Sequence, residues 1–196
     1  IPHNYTVEGD WSGGAFLLVA GAINGKLRIN GLRTDSMQSD MSIINALEKA
    51  GADMITSEDH IEITKSELNA FEFNATESPD LFPPLVALAS YCKGISAIKG
   101  VSRLIYKESD RAKALKEEFG KMNVKIEINE DLMFVTGGQP QGARVESHDD
   151  HRIAMALAVS SLGAAGKVSI RDSQCVAKSY PGFFDDLRHL GATVHE

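Results

Sequence analysis

Sulfur chemistry, long apolar runs and positive charge are all scarce in this chain, and each scarcity excludes a class of function. The only cysteines are Cys92 and Cys175, too few for a disulfide framework and without the paired spacing of a thiolate metal site. Both read as reduced, half-buried small side chains. No apolar run approaches the roughly 20 residues that cross a bilayer, and no signal peptide is expected. Acidic residues outnumber basic ones, for a formal net charge of −7, which argues against a general nucleic-acid or anionic-membrane surface. Any cationic site must therefore be a local gathering against an acidic background. Linkers and low-complexity segments are also missing. These absences lead to the expectation of a cytoplasmic protein. The chain opens on Ile1 and its first methionine is Met37, so it is expected to be a fragment. What remains, 43% hydrophobic and 24% charged residues, is ordinary for a globular chain with a substantial core.

The chain repeats itself. Apolar helix-like runs start after Ser12 (SGGAFLLVAGAING), Ser78 (SPDLFPPLVALASYCKG) and Ser147 (SHDDHRIAMALAVSSLGAAG), 66 and 69 residues apart. A glycine-marked turn and a short strand follow each: GKLRINGL, GISAIKGV and GKVSIRDS. Next come amphipathic helices, DMSIINALEKAGA, ESDRAKALKEEFGKMN and PGFFDDLRHLGA, with apolar residues at three- and four-residue steps. They stop at Gly51, Asn123 and Gly191, the two residue types that most readily turn left-handed after a helix. Strands follow: ADMITS with HIEITKS, VKIEIN with LMFVTGG, and a shorter ATVHE. NYTVEG, AFEFNATE and ARVES supply a strand before each first helix.

The unit is thus β-α-β-α-β-β, expected over about 5–66, 67–138 and 139–196. One unit cannot bury its own apolar faces. Three packed with helices inside and sheets outside make a single α/β domain spanning 1–196.

The repeats align the charges. Second-helix entrances carry TDSMQSD, Lys107-Glu108-Ser109-Asp110-Arg111 and Ala177-Lys178-Ser179-Tyr180-Pro181. First-helix entrances carry Gly9-Asp10-Trp11-Ser12, Ser78-Pro79-Asp80 and His148-Asp149-Asp150-His151-Arg152. Pseudo-threefold packing would bring these entrances to one end, where free helix N–H groups favour anions. The helix dipole supplies only roughly 0.3–1 kcal/mol per site, so the selecting groups must be Lys107, Arg111, Arg152 and Lys178. Arg111 and Arg152 offer planar forks and the lysines point charges. Asp80 and Glu108 join them, and two carboxylates in a cationic pocket suit proton transfer on an anionic substrate. For Asp80 the plain alternative is a simple acid of a first helical turn. His148 and His151 beside Asp149 and Asp150 do not make a metal site, because neighbours on one turn point apart and no third ligand is evident.

VEGDWSGGAFLLVAGAI, SPD, KESDR, DDHRIAM and CVAKSYPGFF, in that order across the chain from about Tyr5, resemble the 5-enolpyruvylshikimate-3-phosphate synthase family (3-phosphoshikimate 1-carboxyvinyltransferases). The resemblance implies an inside-out α/β barrel domain of three such repeats, the C-terminal half of a two-domain enolpyruvyl transferase. It implies transfer of the enolpyruvyl group of phosphoenolpyruvate to the 5-hydroxyl of shikimate 3-phosphate with release of phosphate. That step leads toward chorismate and aromatic amino acids, needs no metal or organic cofactor, and is competed by glyphosate. By the same resemblance Asp80 would contact the shikimate hydroxyls and take the attacking hydroxyl's proton. Lys107 would also hold shikimate 3-phosphate, Glu108 would manage the proton at the methylene carbon, and Arg111, Arg152 and Lys178 would bind phosphoenolpyruvate. Arg103 falls where some members contact shikimate 3-phosphate through Asn.

Tyr106 replaces the usual Val, Tyr180 the usual Phe, and Ser12-Gly13-Gly14 is a looser small-residue run than the family's. Two other readings stay open. One is the related UDP-N-acetylglucosamine enolpyruvyltransferase, which lacks this set of motifs; the other is a non-catalytic anion-binding module. Alone, the chain is expected to fold without turning over substrate.

Overall fold

The structure is a computed structural model that describes residues 7–58, 60–105 and 107–195. Its elements follow the repeat. The first unit contains α1 (Trp11–Asn24), β1 (Lys26–Asn30), a 3-10 turn (Ser39–Ser42), α2 (Ile43–Ala50), β2 (Asp53–Thr56) and β3 (His60–Thr64). The second contains β4 (Glu72–Asn74), a 3-10 turn (Pro79–Leu81), α3 (Phe82–Ala89), β5 (Ile95–Lys99), a 3-10 turn (Val101–Leu104), α4 (Arg111–Lys121), β6 (Lys125–Asn129) and β7 (Leu132–Thr136). The third contains β8 (Arg144–Glu146), α5 (His151–Ser161), β9 (Ser169–Arg171), a 3-10 turn (Ser173–Lys178) and α6 (Phe183–His189).

Local chemistry explains the boundaries. Asp10, Asp110 and Asp150 cap α1, α4 and α5, their carboxylates accepting from backbone N–H groups of the first turn. The three second helices exit through left-handed residues, Gly51 (φ 78°), Asn123 (φ 62°) and Gly191 (φ 98°). Two strand expectations do not carry over intact. The first half of NYTVEG, residues 4–6, lies outside the described residues, and residues 7–10 have no regular structure. Residues 192–195 form no strand, because no neighbouring strand supplies a hydrogen-bonded ladder to them among the described residues.

Among the described residues the strands form three sheets, ordered β1-β3-β2, β4-β5-β7-β6 and β8-β9, with no strand ladder joining one sheet to another. The hairpin partners run antiparallel, whereas β4–β5 and β8–β9 run parallel because a helix crosses between their strands. Alternate residues of the central strands, Ile61 and Ile63, Ile98, and Met133 and Val135, face inward and are fully buried. They meet α1, α3 and α5, which pack on one another and are apolar almost all round. Ser90 and Ser160 face each other across α3 and α5 at 3.3 Å, and the Ser90 hydroxyl also donates to the Ala87 carbonyl. Among the described residues no helix is long and apolar enough to cross a membrane.

The fold's tightest steric demand for a glycine is at Gly137. A Cβ on Gly137, just after β7, would lie 1.9 Å from the Cys92 carbonyl oxygen and 2.7 Å from that of Ala89. Both obstacles are backbone, so neither can swing aside. Gly137→Ala is expected to lower unfolding stability by at least ~3 kcal/mol, read as a drop in the urea midpoint; an unchanged midpoint would contradict this packing.

Candidate active site

The N-terminal ends of the helices meet. The Ser42 hydroxyl donates to that of Ser78 (3.3 Å), linking the first and second units. The Ser109 hydroxyl donates to Asp150 Oδ2 (3.0 Å), linking the second and third. The Tyr180 ring lies 3.3 Å from the position a Cβ would take on Gly13, linking the third and first.

At the centre of this end lies Arg111, the first residue of α4, with its side chain fully buried. Its Nε donates to Asp150 Oδ2 at 2.8 Å, its Nη1 to Asp80 Oδ1 at 2.6 Å, and its Nη2 to Glu108. Burial disfavours the Arg111 charge, but the hydrogen bond and charge of Asp150 outweigh it and hold its pKa above the ordinary value. Asp150 is likewise shielded from water. Burial pushes its carboxyl up, and the Arg111 guanidinium and the Arg152 N–H more than reverse that, leaving it below the usual range.

Asp80 collects cations. Lys107 Nζ sits 3.0 Å from its Oδ1, and Arg152 Nη2 sits 3.4 Å from its Oδ2, in addition to Arg111. Burial raises its carboxyl, but the Arg152 charge and the bonds from Lys107 and Arg111 prevail and lower it. The plain alternative, an acid serving only its own helical turn, does not describe a carboxylate shared by three cations. Lys107, Arg111 and Arg152 balance Asp80, Glu108 and Asp150. An incoming anion must therefore compete with the site's own carboxylates, and Arg111 can reach it only by exchanging Asp80 or Glu108.

The other expected residues stand further out. Lys178 Nζ donates to the Asp149 carbonyl and pairs with its carboxylate, both at 2.7 Å. That fastens it one residue from Asp150. Arg103 is exposed on the 3-10 turn before Lys107 and joins none of these ion pairs among the described residues. Tyr106 lies outside the described residues. Tyr180 donates its hydroxyl to Asp186 (2.6 Å) and stacks edge-on against Phe183. Burial raises the thiols of Cys175 and of Cys92, the latter to about 12, so both are poor nucleophiles near neutrality.

Sequence reasoning missed several residues at this end. Asp150 was readable as a helix cap, but its role as the buried partner of Arg111 needs the third dimension. Asp40, in the TDSMQSD entrance, is buried and accepts the Ser12 hydroxyl at 2.5 Å; burial raises its carboxyl. His151 is buried, and its Nδ1 has no hydrogen-bond partner among the described residues. Burial and the Arg152 charge lower its pKa and favour the neutral ring. Glu118 interrupts the apolar stripe of Leu115 and Phe119 on α4 and Met122 just after it, a flag the pattern carries.

Glu117, Glu118 and His148 lie close enough together to suggest a metal centre. However, the Lys121 ammonium already bonds both Glu118 oxygens, each at 2.7 Å, and a cation so placed opposes a second one.

The pH dependence of folding follows from these carboxylates. Asp80 and Asp150 have folded values below the roughly 3.9 of an unfolded aspartate. They bind fewer protons folded than unfolded, so their stabilisation is fully present above about pH 4 and is lost as pH falls through the folded values. Urea midpoints from pH 7 to pH 3 are expected to decline more steeply for the native protein than for Asp150→Asn. Equal acid slopes would contradict this.

Three repeated α/β units whose helix N-termini gather Lys107, Arg152 and the buried Arg111 beside carboxylates define the class of the fold, a repeated α/β domain with a charged end. The matches to known proteins are narrower. The family model described as EPSP synthase (3-phosphoshikimate 1-carboxyvinyltransferase) matches residues 1–187, and the chain belongs to that family. Among curated relatives, the 3-phosphoshikimate 1-carboxyvinyltransferase of Thermococcus kodakarensis is 44% identical over 95% of this chain and 46% of its own length. That of Clostridium acetobutylicum is 40% identical over 98% of this chain and 45% of its own. A solved structure of EPSP synthase from Acinetobacter baumannii superposes with a TM-score of 0.85 at 26% identity, covering 96% of this chain and 47% of that one. The chain spans about half the length of the curated relatives it matches.

Proposed function

We propose that this chain is the C-terminal domain of a two-domain enolpyruvyl transferase, its units arranged as an inside-out α/β barrel and its site completed by the other half of the family's length. The reaction is addition of the 5-hydroxyl of shikimate 3-phosphate to C2 of phosphoenolpyruvate, followed by loss of phosphate. The observation that carries the reading is Asp80 and Glu108 bound to one buried arginine, with Lys107 and Arg152 on the Asp80 carboxylate.

In this reading the phosphoenolpyruvate anion takes Arg111, Arg152 and Lys178. Drawing Arg111 and Arg152 toward the ligand releases Asp80 from the charges that lower it, so substrate binding itself turns Asp80 into a competent base. Asp80 then accepts the proton of the attacking hydroxyl as the C–O bond to C2 forms. Glu108 delivers a proton to C3, giving a tetrahedral adduct. Glu108, left as a carboxylate, takes one C3 proton back while the C2–O bond to phosphate breaks, which restores the double bond and expels phosphate. The fixed cations stabilise charge that moves through both halves of the sequence. Lys107 holds shikimate 3-phosphate, and Arg103, exposed beside it, is the outermost contact to the same substrate. No metal or organic cofactor enters any step. A cytoplasmic location belongs to the same proposal.

The test uses the whole protein, this chain together with the other half of its family's length. Phosphate release from phosphoenolpyruvate is expected with shikimate 3-phosphate and not with UDP-N-acetylglucosamine. Release with the sugar nucleotide instead, or with neither acceptor, would reject the assignment.

A further inference from the structure

Glu118 is a nearly fully buried carboxylate with no part in the chemistry above. It points out of α4, the helix that begins with Arg111, and accepts four hydrogen bonds from three groups: Lys121 twice, the Glu146 backbone N–H at 2.8 Å, and His148 Nε2 at 2.8 Å. Glu146 ends β8, and His148 starts a corner in which both His148 and Asp149 adopt φ 54°. Left-handed backbone at two successive residues with side chains is disfavoured and persists only when the surroundings impose it.

The two residues after His148 carry the consequence. Asp149 holds Lys178 through its carbonyl and its carboxylate. Asp150 receives Arg111 and caps α5. Helix α4 therefore grips the 146–150 corner at two places, through Arg111 on Asp150 and, two turns later, through Glu118 on Glu146 and His148. Lys121 keeps the Glu118 carboxylate charged and oriented, and the bonds from all its donors hold its pKa below the ordinary value despite burial.

We propose that Glu118 is a positioning residue. By fixing the left-handed His148–Asp149 corner it sets the Asp149–Lys178 and Asp150–Arg111 pairs in the geometry that receives the phosphoenolpyruvate anion. The ligand named here rests on the function proposed above; the corner itself does not. A small displacement of such a support acts on the ligand that its cations hold, and spares the other substrate.

The experiment compares Glu118→Ala, Glu118→Gln and His148→Asn in the whole protein. Alanine frees Lys121, already half exposed, to water, so no buried charge is stranded. Asparagine tolerates the left-handed backbone but cannot reach Glu118. Glu118→Ala should raise the KM for phosphoenolpyruvate about tenfold while moving that for shikimate 3-phosphate by less than about twofold. His148→Asn should follow in the same direction, by about threefold. Glutamine can still accept from the Glu146 N–H and donate to His148, so it should return the constant to within about threefold of the native value.

Merely structural damage would reduce active protein and kcat and leave this KM split absent. Equal effects on both substrates, or a glutamine variant as impaired as alanine, would overturn the proposal. Two readouts need no turnover: hydrogen exchange over residues 144–152, expected about tenfold faster in Glu118→Ala, and a correspondingly weakened calorimetric affinity for inorganic phosphate. If the native protein fails to use shikimate 3-phosphate, the function above falls, and these two readouts still decide the corner. Unchanged exchange or unchanged phosphate affinity would overturn it.

Discussion

Glu108→Gln in the whole protein is expected to lower kcat by about 10²–10⁴-fold, the range removed when a positioned acid or base is lost, while the KM for phosphoenolpyruvate shifts by less than about threefold. The reason lies in what glutamine preserves. The Glu108 carboxylate accepts from Arg111 Nη2, and a glutamine carbonyl oxygen can accept from the same N–H. Arg111 therefore keeps its bonds to Asp80 and Asp150 and its place behind the site. Only the exchangeable proton disappears. Steady-state kinetics with both substrates measures this directly; retained kcat would remove Glu108 from the proton path, and a large rise in KM would make it a binding group instead.

Replacing Arg111 is expected to damage both folding and binding, and the two can be separated. Arg111→Met strands Asp150, which is fully shielded from water, without its guanidinium. Breaking one partner of a buried pair costs about 3–5 kcal/mol, a loss that a urea titration of the variant would read. Arg111→Met combined with Asp150→Asn removes both charges and should recover a large part of that stability. Turnover should stay at least about 10²-fold down in both, because no remaining group offers a planar fork between Asp80 and Glu108. Arg111→Lys should not rescue it, since an ammonium cannot span three carboxylates in one plane. Recovery of activity along with stability in the double variant would show that Arg111 only holds the fold.

How much of this was legible in the sequence depends on whether the signal is local. Helix spans, their exits at Gly51, Asn123 and Gly191, and the hairpins of the first two units were readable because capping and alternation act over a few residues. The gathering of Asp80, Lys107, Glu108, Arg111 and Arg152 was readable because the repeat aligns their entrances. The depth of Arg111 was not. Sequence marks an arginine at a helix start as a solvent-facing anion ligand, whereas three carboxylates from three segments let this one be buried whole. Asp150 and Glu118 escaped for the same reason, since their partners come from other units or other turns. The strand expected at ATVHE is absent over residues 192–195, which carry the alternation but have no strand beside them to pair with among the described residues.

In the proposed function a small anion exchanges with the site's own carboxylates on Arg111, Arg152 and Lys178 while Asp80 turns to the acceptor hydroxyl. The most direct measurement is a crystal structure of the whole protein with shikimate 3-phosphate and a non-reacting phosphoenolpyruvate analogue. The analogue's carboxylate and phosphate are expected on those three cations, its methylene carbon within reach of Glu108, and the acceptor hydroxyl hydrogen-bonded to Asp80. An analogue bound elsewhere, with Arg111 still enclosed by Asp80, Glu108 and Asp150, would contradict it.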